Sequence, residues 1–263
     1  MPQIRLNENQ KRAVEYKDGD LLIIAGAGTG KTAVITQRIL HIIKNGWAKP
    51  SQILALTFME KAAEEMQTRI DEEMEYGYDE PVISTFHSFC DRMLREDGYN
   101  IGLDGGYSLM NKGQSYIFLR RNIYDLGFKT LLPKGNATKF LNDFLSHVGK
   151  LQDEGISSEE YMKYAESIEN KEEKVKAKEL AGAYKKYTEL KIENSCLDFG
   201  DLILFTVQLF RERKNVLEKY RNTFKYILVD EFQDTNYTQN ILVNLLKGQT
   251  NEERKNGPLL TVV

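Results

Sequence analysis

Leu21-Leu22-Ile23-Ile24-Ala25-Gly26-Ala27-Gly28-Thr29-Gly30-Lys31-Thr32 joins an apolar run to a glycine-rich turn, then to a lysine and a hydroxyl residue. The run Leu21–Ala25 predicts a strand. A helix is expected after the turn, because Ile35, Ile39, Ile42 and Ile43 share one helical face and Asn45-Gly46 supplies a stop. Strand, glycine loop and helix start together read as a phosphate-binding loop. Its glycines let backbone N–H groups turn toward an anion, and the helix N-terminus adds positive potential. Ala25, Gly26, Ala27, Gly28, Thr29 and Gly30 are the expected cradle. Lys31 is expected to reach the β- and γ-phosphates, and the Thr32 hydroxyl to bind Mg²⁺. The strict pattern has Gly where this chain has Ala25, so the flanking strand and helix carry part of the assignment.

Similar apolar runs recur at Ile53–Thr57, Val82–Thr85, Tyr226–Val229 and Leu259–Val263. They are rich in Ile, Leu and Val and barely alternate, which suits strands buried on both faces of a parallel sheet. Lys61 to Glu75 is a further helix candidate, and alternation of strand and helix predicts an α/β fold. The run ending at Val229 leads into Asp230-Glu231-Phe232-Gln233-Asp234. Ligands of open α/β sheets sit at the carboxyl ends of strands, so this acidic cluster is expected to face the phosphate loop. Asp230 is expected to hold Mg²⁺, directly or through water, and Glu231 to orient and deprotonate an attacking water. A phosphate loop with such a pair predicts a nucleoside triphosphate hydrolase.

The pattern changes between about Ser108 and Leu197, where no convincing parallel strand is found and Gly127, Pro133-Lys134-Gly135 and Gly155 punctuate helical stretches. Ser157-Ser158-Glu159-Glu160 reads as a helix start. Glu159 to Glu193 carries nine acidic and eight basic residues, the mark of a solvated helical surface. The expected architecture is an all-helical subdomain inserted into a discontinuous α/β domain.

Composition sets the outer bounds. The 263 residues suffice for a sizeable core, and 41% hydrophobic with 29% charged residues excludes a disordered chain. Cys90 and Cys196 form neither a disulfide framework nor a zinc cluster, and read as two buried thiols in a reducing compartment. The longest charge-free run is 12 residues, Thr235 to Leu246, against about 20 for a bilayer span, and the N-terminus shows no secretory h-region. A cytoplasmic monomer is therefore expected, with no membrane partner. The net charge of −3 hides segregation: Asp71 to Glu80 holds six acidic residues, whereas Met110 to Lys150 holds seven basic against two acidic. The basic stretch also carries Tyr116, Phe118, Tyr124, Phe128, Phe140 and Phe144, which suit either nucleic acid or a helical core with a basic exterior.

Taken with the acidic cluster, the phosphate loop closely resembles that of the UvrD/Rep/PcrA-like superfamily 1 DNA helicases. Other segments agree in order. Leu6, Asn7 and Gln10 resemble the family's Q motif, Thr57-Phe58-Met59-Glu60-Lys61-Ala62-Ala63 its motif Ia, and Thr85-Phe86-His87-Ser88 its motif Ib. Gln152-Asp153-Glu154-Gly155 and Leu197-Asp198-Phe199 also resemble family segments. The resemblance implies a RecA-like domain formed by residues 1–107 and 198–263, with residues 108–197 as the insertion. It implies ATP and Mg²⁺ as cofactors, Gln10 reading adenine, and Gln233 coupling the γ-phosphate to DNA. It further implies 3′-to-5′ movement along single-stranded DNA and contact with a single-strand/duplex junction, in repair or replication. Thr57, Phe58, Thr85 and His87 become the DNA contacts, with Phe58 offering a face for base stacking. Core packing is the alternative for Phe58, a structural histidine for His87, and a simple turn residue for Gln233.

Two departures stand out. Met59-Glu60 replaces the family's common Thr-Asn and puts an acid beside the DNA track, and Ala33 replaces a common Arg that helps hold the base. The last run ends flush with the sequence, so the expectation is a front portion lacking a second RecA-like domain and inactive alone. Alternatives are the motor of a RecB-like helicase–nuclease, or a nucleotide-dependent binding module that does not translocate.

Overall fold

The computed structural model describes residues 6–263 except Ala27, Tyr76, Tyr78, Lys134 and Asn136. The phosphate-loop residue Ala27 and the basic residue Lys134 thus lie outside the described residues. In chain order the first elements are α1 (Glu8–Glu15), β1 (Leu21–Leu22), α2 (Lys31–Lys44), β2 (Ile53–Thr57), α3 (Glu60–Asp71), β3 (Val82–Thr85) and α4 (Phe86–Asp97). Then come β4 (Ser108–Met110), α5 (Lys112–Arg121), α6 (Thr138–Asp153), α7 (Ser158–Ser167), α8 (Lys171–Glu193), β5 (Cys196–Asp198) and α9 (Phe199–Glu212). The chain continues through α10 (Lys214–Thr223), β6 (Tyr226–Val229), α11 (Tyr237–Lys247), α12 (Asn251–Asn256) and β7 (Leu259–Val262). It divides into two compact units: Met1–Phe89, Phe210–Thr235 and Leu242–Val263 form the first, and Cys90–Leu209 with Asn236–Ile241 the second.

The first unit is an α/β domain. Its sheet has the order β1-β7-β6-β2-β3, with every neighbouring pair parallel. Ile53, Ala55, Tyr226 and Leu228 point to one face and pack with Ile35, Ile39, Ile42, Met66 and Ile70 of α2 and α3. The intervening Leu54, Leu56, Ile227 and Val229 are buried too, so both faces of the central strands are covered as their unbroken apolar runs require. The first run behaves differently from expectation. Only Leu21–Leu22 is strand, and Leu22 and Ile24 are 65% and 89% exposed, because β1 pairs on one side only, with β7, at the sheet edge. The helix expected over Lys61–Glu75 runs Glu60–Asp71 instead. Asp71, Glu72, Glu73 and Glu75 crowd its C-terminal end with negative charge, opposing the helix dipole.

The second unit is dominated by helices α5 to α8, whose core includes Leu119, Leu141, Phe144, Val148, Ala181, Tyr184 and Tyr187. Ser157 caps α7 in a reciprocal capping box with Glu160, at the start read from the sequence. The aromatics of the basic stretch fill this core: Phe128 stacks edge-on to Phe140 and Phe144, and Phe118 to Tyr187. Tyr124 is the exception, lying exposed. One feature was not expected. β4 and β5 pair in parallel, Ser108 with Cys196 and Met110 with Asp198. Each is three residues long, too short for any periodicity to register. Both cysteines are buried and free, and burial pushes the Cys90 thiol up to about 12. No described helix is long and apolar enough to cross a membrane.

Candidate functional site

Parallel strands deliver all their carboxyl ends to one edge of the sheet, and the loops after β1, β2, β3 and β6 carry the expected site residues. The loop after β1 needs left-handed backbone at Gly28 and Gly30, with φ of +74° and +81°. Gly30 occupies the N-cap position of α2 and offers no side-chain cap, so the first N–H groups of that helix remain available to an anion. Thr29 Oγ1 donates to the Gly26 carbonyl at 2.7 Å and closes the turn. Gln10 reaches this loop from α1, its Nε2 donating to the Thr29 carbonyl at 3.0 Å while its Oε1 accepts from the Asn7 N–H at 2.8 Å. The glutamine therefore braces the loop with one end of its amide and caps its own helix with the other.

Asp230 and Glu231 follow buried β6 and meet the helix start. Thr32 Oγ1 donates to Asp230 Oδ2 at 2.9 Å, and Lys31 Nζ pairs with Glu231 Oε2 at 2.7 Å. Burial raises the Asp230 carboxyl above its ordinary value, with the neighbouring Glu231 charge adding to it and the Thr32 hydrogen bond opposing it. Glu231 is held below the usual range by hydrogen bonds from Lys31 and Gln233, and its carboxylate in turn raises Lys31. Gln233, in the 3₁₀ turn Phe232–Asp234, donates from Nε2 to Glu231 Oε2, and to Asp234 Oδ2 at 3.3 Å. Glu231 adopts φ +52°, a strained conformation for a residue with a side chain. Its N–H donates to Asp230 Oδ1 at 3.1 Å, and the next N–H, of Phe232, donates to the Val263 carbonyl at 2.7 Å. The backbone is thus held by hydrogen bonds at Glu231 and at the residue after it.

A hydroxyl beside a buried carboxylate is a hard-oxygen donor set of the kind Mg²⁺ takes when phosphate oxygens and waters complete its shell. Among the described residues no three His, Cys, Asp or Glu side chains cluster as a self-sufficient metal cage. The pair Thr32 and Asp230 fits a metal that arrives with a polyphosphate.

The four expected DNA contacts lie at the ends of β2 and β3. Thr57 and Thr85 are register partners in the ladder and both are buried. Phe58 is half-buried and leans on buried Phe86, ring centres 5.8 Å apart. His87 is half-buried in the first turn of α4. Thr85 is not idle: its hydroxyl donates to Glu60 Oε1 at 2.9 Å and accepts from the Ser88 N–H at 3.1 Å, while Ser88 Oγ donates to the same Glu60 oxygen at 2.8 Å.

Sequence reasoning passed over two constellations. Arg38, buried in α2, donates through Nη1 to the carbonyls of Ala13, Val14 and Tyr16, and through Nε to Thr261 Oγ1 at 3.1 Å. It thereby ties the C-terminal end of α1, and with it Gln10, to the helix that begins at Lys31. Its position on the apolar face of α2, beside Ile35, Ile39 and Ile42, was the available signal. In the second unit Lys191 is fully buried and pairs with Asp198 and Asp201, each at 2.5 Å, with Gln152 donating to both acids. Asp198 and Gln152 belong to segments singled out from the sequence, but without a partner.

The profile of the UvrD/REP helicase N-terminal domain matches residues 6–263. A probable DNA helicase II homolog of Mycoplasma capricolum subsp. capricolum is 35% identical over 246 residues, covering 94% of this chain and 33% of its own. The ATP-dependent DNA helicase PcrA of Bacillus subtilis is 37% identical over 241 residues, 92% of this chain and 31% of its own. PcrA of Staphylococcus epidermidis is 36% identical over 245 residues, with the same coverage. The chain spans about a third of the length of the curated relatives it matches.

Proposed function

The chain belongs to the UvrD/REP helicase N-terminal domain family, and from that premise we propose that it forms the nucleotide-binding part of an ATP-dependent DNA helicase. The observation that carries this reading is the meeting of Lys31 with Glu231 and of Thr32 with Asp230 across two hundred residues of chain. In it, the loop from Ala25 to Gly30 cradles the triphosphate and Lys31 neutralises its terminal phosphates. Thr32 and Asp230 hold Mg²⁺, which supplies charge neutralisation to the leaving and transferring groups. Glu231, kept ionised by its hydrogen bonds, accepts the proton of the attacking water, and Gln233 beside it responds to the terminal phosphate. Gln10, already on the Thr29 carbonyl, stands at the loop where adenine selection takes place.

Single-stranded DNA is the proposed track, engaged at Thr57, Phe58, Thr85 and His87, with 3′-to-5′ movement and a role in repair or replication in the cytoplasm. In this reading residues 108–197 act as the inserted subdomain facing the single-strand/duplex junction, and the working form is a monomer. The support is the placement of the strand ends: β2 and β3 end at the same edge of the sheet as β1 and β6.

Nucleotide binding tests this directly. A fluorescent ATP analogue with Mg²⁺ is expected to bind the protein, to lose affinity at least about 100-fold in Lys31→Ala, and to bind without turnover in Glu231→Gln. Unchanged affinity in Lys31→Ala sinks the assignment.

A further inference from the structure

We propose that Glu60 is a built-in competitor for the phosphate of a single-stranded nucleic acid, holding the hydroxyls of Thr85 and Ser88 until the strand displaces it. The proposal rests on the reading of the β2 and β3 ends as the DNA track. Its starting point is the geometry: one carboxylate oxygen accepts from two hydroxyls, Thr85 Oγ1 at 2.9 Å and Ser88 Oγ at 2.8 Å. Two hydroxyls converging on one oxygen anion is how side chains receive a phosphate oxygen. The setting favours an anion further. Thr85 accepts from the N–H of Ser88 and so sits at the N-terminal turn of α4, where the helix dipole is positive.

Glu60 is the first residue of α3, exposed at its own helix N-terminus, and therefore easily swung aside. Thr85, by contrast, is buried in register with Thr57 and cannot follow it. A strand phosphate arriving here meets two costs that a neutral residue at position 60 would lessen or remove. It must break both hydroxyl contacts to the carboxylate, and it must approach a like charge. Neither falls on nucleotide binding, since Glu60 engages Thr85 and Ser88, whereas Lys31 and Thr32 engage Glu231 and Asp230. The effect is a raised threshold for DNA at this one position, specific to this chain's Met59-Glu60 pair.

The test is fluorescence anisotropy of a fluorescein-labelled oligo-dT about 20 nucleotides long, with the whole gene product at fixed salt. Glu60→Gln, which keeps the shape and removes the charge, is expected to bind about 3- to 10-fold tighter than wild type. Adding Ser88→Ala to Glu60→Gln is expected to cancel most of that gain, whereas Ser88→Ala alone is expected to change affinity less than 2-fold, because its hydroxyl already serves Glu60. Binding of the fluorescent ATP analogue is expected to be the same in all of them. If Phe58→Ala weakens DNA binding while Glu60→Gln leaves it unchanged or weaker, the competitor role is overturned and the track reading stands. If neither Phe58→Ala nor Glu60→Gln alters DNA binding, the track reading is overturned and the competitor role with it.

Discussion

Lys31 pairs with one carboxylate and Lys191 with two, and the two arrangements differ in how far solvent reaches them. Lys31 keeps 13% of its side chain exposed and Glu231 keeps 36%, at a helix start whose Gly30 N-cap offers no side-chain cap. Lys191 has none exposed, and Asp198, Asp201, Gln152 and the ring of Tyr187 close around it. A solvent-accessible ion pair has little net strength and gives way to a better partner such as a polyphosphate. A buried one has nothing else to turn to. Burial works against the Lys191 ammonium, but the charges of Asp198 and Asp201 hold its pKa above the ordinary value. On the proposed reading, the same chemistry serves ligand exchange in one unit and permanence in the other.

The largest effect should come from removing the sealed cation. Lys191→Met leaves Asp198 and Asp201 facing each other without a cation, held only by hydrogen bonds such as those from Gln152, and is expected to cost about 3–5 kcal/mol, read as a lowered midpoint in urea. A loss below about 1 kcal/mol would make the two lysines equivalent and dissolve the contrast.

A smaller effect concerns pH. Burial, then the charge of Asp198, push the Asp201 carboxyl up to about 7 against the pull of Lys191. The unfolded chain releases this proton near pH 4 and the folded one near 7. Between those values the unfolded state binds fewer protons, so this group's contribution to stability falls as pH rises and levels off above 7. Asp201→Asn is expected to remove that decline, so wild-type and variant stabilities measured from pH 4 to 8 should diverge in slope below 7. Parallel profiles would show that Asp201 is ionised throughout.

The smallest expected change in stability is at the partly exposed pair of Lys31 and Glu231. Lys31→Ala should leave the urea midpoint at its wild-type position while removing nucleotide affinity, separating the exchangeable lysine from the sealed one in a single pair of assays.

The contrast also explains what could be read from sequence. The phosphate loop and the acids after β6 were legible because each is contiguous and sits at the end of an apolar run, so local pattern and topology point to the same edge of the sheet. Lys191 belongs to a stretch of nine acidic and eight basic residues, a composition that reads as solvated surface. Nothing local distinguishes the one lysine of the eight that is buried, since its partners Asp198 and Asp201, and the Gln152 that donates to both, come from separate elements. Glu60 was visible as an acid beside the expected track. Its engagement by Thr85 and Ser88 depends on where α3 and α4 begin, which only the folded chain brings together. The β4–β5 ladder escaped for the related reason that three-residue strands carry no period.

The order of strands in the sheet has a consequence for synthesis. Among the described residues β1 pairs with β7 alone, and β6 separates β7 from β2, so these strands cannot join until β6 and β7 are made. Translation from Leu22 to Leu259 takes on the order of 10–50 s at about 5–20 residues per second. During that interval the isoleucines of α2 and the apolar face of β2 have no central strand to cover them. The second unit, contiguous from Cys90 to Leu209 apart from six residues, emerges and gains most of its core first. The nascent chain therefore meets the ribosome exit with its proposed nucleotide site half-built, and β6 and β7 complete it.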